Sequence, residues 1–161
     1  MKKSELTRMQ IGFESWVATL DERIFDWLQK MPEDQKILFD YSLESLDEVQ
    51  KYLINKYNLD DLRNERNKYG VDGAASYVYS VFMKHLPNYQ CRTELKDQKN
   101  LLFNLPAINT DPRVGVDFSP YFFLPRIINL KTTNDFRYIL ESKTKQYLEQ
   151  YGADPLAQGV R

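Results

Sequence analysis

A chain of 161 residues with 42% hydrophobic and 28% charged side chains is long enough to bury a core of its own and excludes a disordered class. One histidine, His85, and one cysteine, Cys91, exclude a Cys/His zinc set, a histidine cluster and an internal disulfide framework. A net charge of −1 excludes a global field for a polyanion, although residues 1–60 sum to −4 and the rest to +3.

The first element is predicted as one helix from a Ser4 cap to a stop at Pro32. Met9, Phe13, Trp16, Val17, Leu20, Ile24, Trp27, Leu28 and Met31 recur at steps of three and four and make one broad apolar stripe. Arg8, Glu14 and Asp21 interrupt that stripe, so it is no signal-peptide core, and no apolar run reaches membrane-spanning length. A cytoplasmic location and no membrane partner are expected, and the lone cysteine suits a reducing compartment.

Ile37 to Tyr41 reads as a short extended piece. Ser42 caps a second helix carrying Leu43, Leu46, Val49, Leu53 and Ile54, with Glu44 in its first turn where the helix dipole favours negative charge. Asp60 is predicted to cap a short polar helix stopped by Gly70, and Asp72 to cap a third long helix, Gly73 to Leu86. Its small residues Gly73, Ala74, Ala75, Ser76 and Ser80 would let another element approach closely. This helix is either internal or a contact between two copies of the chain.

After Pro87 the period changes to two. Strands are predicted at Tyr89–Leu95, Leu101–Leu105 and Val114–Phe118, joined by short turns into an antiparallel meander. Ser119-Pro120 opens a helix that Pro125 interrupts, and Thr133 to Tyr151 is a last helix ended by Gly152. Its inward residues are Phe136, Ile139, Leu140, Tyr147 and Leu148. The expected architecture is α+β: about five helices packed on a small three-stranded antiparallel sheet, in a single domain over 1–152 with a frayed tail over 153–161.

Each candidate site has a plain structural alternative. His85 and Cys91 flank one helix-to-strand connection and would make a thiolate–imidazole pair if brought together. A last-turn histidine complementing the helix dipole and a buried strand cysteine are the simpler reading. Glu44, Asp47 and Glu48 share a helix face, as paired acid–base or metal-binding carboxylates would, and as any solvated face does. Tyr121, Phe122 and Arg126 mix aromatic and cationic character in the manner of protein interfaces. Joined to Lys131 and Arg137 they would instead track single-stranded nucleic acid, a reading the balanced charge disfavours. A third alternative makes the aromatics core.

At Phe39-Asp40-Tyr41-Ser42-Leu43-Glu44-Ser45-Leu46 the chain resembles a pattern of small bacterial cytosolic proteins in which an L-D-x-S-x-x-S-L step opens a helix. Gly73-Ala74-Ala75-Ser76-Tyr77-Val78 is similar to their Gly/Ala-Tyr-rich helix, and Asn104-Leu105-Pro106-Ala107 to their sheet segment, over residues 36–125. Those proteins carry Gly-Glu after the tyrosine where this chain has Tyr79-Ser80. The resemblance implies a bacterial cytosolic protein of interaction or toxin-immunity type and no reaction. The Asp-x-Ser step also has a complete structural reading, with Ser42 as cap and Asp40 accepting from nearby backbone N–H groups.

The reading that follows is a non-enzymatic protein-binding or regulatory, immunity-like module. It has no cofactor, no metal and no catalytic residues. Its partner is another protein, or a second copy, met through Tyr121, Phe122 and Arg126. The alternative is a small-ligand binder or enzyme with a pocket near His85, between the 73–86 helix and the sheet.

Overall fold

The computed structural model describes residues 3–86, 89–109 and 117–152. In chain order it contains α1 (Lys3–Ala18), α2 (Leu20–Gln29), the single turn α3 (Glu33–Lys36), α4 (Glu44–Lys56) and two 3-10 turns at Asp61–Arg63 and Glu65–Asn67. Then come α5 (Lys68–His85), β1 (Gln90–Thr93), β2 (Pro106–Asn109), α6 (Pro120–Leu130) and α7 (Asp135–Tyr151).

The centre is α5, buried from Val71 through Phe82 except at Asp72 and Ser80. Its small residues do what their size suggests. A Cβ on Gly73 would stand 2.6 Å from Cγ of Trp27, so α2 packs on α5 at a distance only glycine permits. On another side lies α4, with Leu46, Val49 and Leu53 fully buried. Buried Gln50 ties α4 to α7: its Nε2 donates to the Thr132 carbonyl at 2.6 Å and to Asp135 Oδ2 at 2.8 Å, and its Oε1 accepts from Phe136 N at 3.1 Å. Phe82 stacks on Phe118 at 4.6 Å and joins α5 to the segment before α6.

Several expectations are corrected. The first apolar stripe is two helices, broken at Thr19. The Thr19 hydroxyl bonds back to the Ser15 carbonyl at 2.9 Å, while the Arg23 guanidinium takes the Trp16 carbonyl and Thr19 Oγ1. Ile37 to Tyr41 is no extended piece but a run of turns, with Tyr41 at φ 61. Gly70 and Asp72 neither stop nor start a helix, for α5 runs through both; a Cβ on Gly70 would collide with the Tyr57 hydroxyl. Pro125 lies inside α6 with its ring outward, where the missing N–H deprives only the Tyr121 carbonyl.

The three-stranded sheet is likewise not found: the described chain is mostly helical, with one two-stranded antiparallel pair, Cys91 opposite Ile108 and Arg92 opposite Ala107. The second strand lies at 106–109 instead of 101–105. Asn100 Oδ1 accepts from Leu102 N at 2.8 Å and Asn104 adopts φ 57, so the Leu101–Leu105 run curls into turns and makes an isolated bridge from Phe103 to Glu94, just past β1. Of the predicted third strand, 114–116 lie outside the described residues, and Phe118 makes a single antiparallel bridge to Ile108. The expected tail, 153–161, also lies outside them. Gly152 does end α7, at φ 67, with its N–H on the Leu148 carbonyl at 2.8 Å.

Candidate functional site

Ser119 and Pro120 start α6, and the periodicity of the helix then divides the aromatic run between two environments. Tyr121 turns inward. Its hydroxyl donates to Asp72 Oδ1 at 2.9 Å and accepts from Trp16 Nε1 at 3.2 Å, and burial beside Asp72 drives its pKa far above the ordinary phenol value. Phe123 is half-buried on Phe118 at 5.3 Å. Phe122 turns outward at 42% exposure, and Pro125, Arg126 and Asn129 follow it at helical spacing on the exposed face. Leu130, 57% exposed, extends that face. The result is an apolar outer strip carrying one cation, held on a helix whose opposite face is buried through Leu124, Ile127 and Ile128.

Tyr121 therefore anchors the patch rather than lining it. The anchor belongs to a wider polar and aromatic network. Tyr79, packed edge-on to Trp16 at 4.9 Å, donates to the Pro106 carbonyl and lies 3.2 Å from Ser119 Oγ. Arg23 Nε donates to Ser76 Oγ at 3.0 Å, and its guanidinium covers the Trp16 ring at 4.5 Å. Desolvation lowers the Arg23 pKa.

His85 and Cys91 have separate partners. His85 Nε2 is 3.2 Å from the Tyr41 carbonyl. Burial pushes the Cys91 thiol up to about 12, with Arg23 as a weaker opposing influence, so it is held protonated. Such a thiol is no ready nucleophile.

The carboxylates on α4 are met by basic side chains. Arg137 reaches Glu141 at 2.9 Å, Asp47 at 3.3 Å and Glu44 at 3.5 Å, while Lys51 pairs with Glu48 at 2.7 Å. Arg137 is thereby committed to carboxylates instead of joining Arg126 and Lys131 in a basic stripe. Among the described residues, no three His, Cys, Asp or Glu side chains are grouped to hold a metal ion, and no helix is long and apolar enough to cross a membrane.

Two features were not anticipated from the sequence. No residue of α1 is fully buried; its inner stripe of Leu6, Met9, Phe13 and Trp16 is half covered, and a cavity of about 430 Å3 separates Phe13 and Trp16 from Thr93 and Pro106. The other is a cleft of about 540 Å3 bounded by Trp27 of α2 and Lys30 just after it, Tyr52 and Lys56 of α4, Arg66 in the second 3-10 turn and Tyr69 at the start of α5. Its signal was dispersed: the aromatics belong to stripes that read as core, and the three cations come from three separate segments. Compared with protein-family models, curated proteins and solved structures, the chain matches none of them.

Proposed function

We propose that the protein is a non-enzymatic binding module that docks another protein through the outer face of α6, with Phe122 and Arg126 at its centre. The observation that carries this reading is the split of the aromatic run: Tyr121 is fixed inside by Asp72 and Trp16, and Phe122 is held out on a rigid helix among Pro125, Arg126 and Leu130. A preorganised aromatic next to an arginine is the composition of an interface hot spot.

The partner is a different protein rather than a second copy. A two-fold contact with its axis at the Phe122–Arg126 centre would set Arg126 close to its own symmetry mate, opposing like charges. A partner with an apolar recess rimmed by a carboxylate satisfies both Phe122 and Arg126. In the sharper, immunity-like form, docking covers the partner's working surface and silences it.

The test is affinity capture from native lysate at moderate salt, followed by an activity assay of the retained protein. Support is a stoichiometric protein whose retention needs Phe122. Retention of the same proteins by wild type and by Phe122→Asp refutes the α6 face.

A further inference from the structure

The cleft between α2, α4 and the start of α5 combines three features. First, Lys30, Lys56 and Arg66 all line it and no carboxylate does, in a chain whose net charge is −1. Two acids close in sequence are engaged elsewhere, Glu33 with Lys36, and Asp61 with Asn58 N at 2.9 Å and with Asn67. Three cations around one cleft with no lining carboxylate make it a favourable place for an anion.

Second, the walls are aromatic. Tyr69 is 76% exposed with Lys30 Nζ 5.7 Å from its ring centre, and Lys56 Nζ stands 5.0 Å from the ring of Tyr52 while donating to its hydroxyl at 2.8 Å. An exposed ring beside a cation is a surface for a second planar group.

Third, Trp27, which lines the cleft and is 2% exposed, has a buried Nε1 with no acceptor. A buried N–H without a partner is costly, and this one belongs to a residue that lines the cleft. The volume, about 540 Å3, falls within the range of small-ligand sites.

We infer that this cleft binds a small phosphorylated ligand bearing a planar ring, of the mononucleotide class. The phosphate is held by Lys30, Lys56 and Arg66, and the ring lies on Tyr69. Fork geometry lets Arg66 grip two phosphate oxygens, with the lysines supplying point charges. None of the lining residues belongs to α6, so the two proposals stand or fall separately.

The experiment is titration calorimetry of the full chain with AMP and UMP in turn, and with inorganic phosphate and adenosine as the separated halves. Saturable 1:1 binding of one nucleotide is expected, tighter than either half and weakening with added salt. K56Q/R66Q should weaken it about tenfold or more, and Tyr69→Ala severalfold with no change towards phosphate. All three side chains are exposed, and melting curves matching the wild type verify that the variants fold. Three results overturn the inference: neither nucleotide binds, binding is unchanged in K56Q/R66Q, or inorganic phosphate binds as tightly as the nucleotide.

Discussion

The Tyr77 hydroxyl accepts the backbone N–H of Tyr41 at 2.9 Å and donates to Ser45 Oγ at 2.7 Å, which places one phenol of the central helix under the turn that opens α4. Around it Ser42 N donates to Asp40 Oδ1 at 2.9 Å, Ser45 N donates to Ser42 Oγ at 3.2 Å, and the Tyr41 ring leans on Tyr77 at 4.9 Å. The Asp-x-Ser step thus has a structural task, and the left-handed backbone of Tyr41 is held by contacts from α5. Hydrogen bonding to Ser42 lowers the Asp40 pKa.

Tyr77→Phe deletes that hydroxyl and leaves the Tyr41 N–H without its acceptor. A loss of about 1–3 kcal/mol is expected, read as a shift of the urea midpoint at constant slope. A change within experimental error would show that water replaces the phenol.

Gly73→Ala separates local propensity from packing. Propensity alone favours alanine by about 1 kcal/mol in a helix interior. Here the new methyl meets the Trp27 side chain, so the variant should be destabilised by about 1–3 kcal/mol, the usual cost of overpacking. The sign of the change in urea stability decides between the two.

Lys143 is 6% exposed on α7, and desolvation lowers its pKa to about 8, against a smaller raising influence from Asp117. The unfolded chain therefore binds a proton that the folded chain does not between about pH 8 and the ordinary lysine value. Stability contributed by this residue should rise with pH across that window. Buried tyrosines and Cys91, with raised values, act in the opposite sense at higher pH, so the comparison is with Lys143→Met at each pH. The variant should be the more stable at pH 7, with the gap narrowing by pH 10. A gap independent of pH would assign the effect to packing.

Cys91, held protonated by burial, should react with a thiol reagent at pH 8 at least about tenfold more slowly in the folded chain than in urea. Equal rates would place the sulfur in an accessible, activated environment.

The helical periods of α4 and α7 were readable because each buries one stripe, while α5 is buried nearly all round and was readable by its small residues, the Gly73 cluster announcing a close approach that Trp27 makes. What was not readable depends on residues far apart in sequence. The break at Thr19 is braced by Arg23, whose Nε reaches Ser76, 53 positions on. Gly70 carries a stop signal by composition, yet it is needed as a space for the Tyr57 hydroxyl. The Leu101–Leu105 run is too short for period to separate strand from turn, and Asn100 and Asn104 settle it locally. At the candidate site the sequence showed the aromatic-cationic mixture but not its division. Only the phase of α6 against Asp72 and Trp16 sends Tyr121 in and Phe122 out.

The central claim is most directly tested by parallel capture from one lysate with wild-type protein and with Phe122→Asp/Arg126→Glu, bound proteins being quantified by mass spectrometry. Both side chains are surface residues of α6, so melting curves of the two baits should agree closely. One protein should be retained in stoichiometric amount by the wild type and lost by at least about tenfold from the variant, as expected when a hot-spot aromatic is removed. Equal retention by both baits, or no protein retained by the wild type above background, would contradict it.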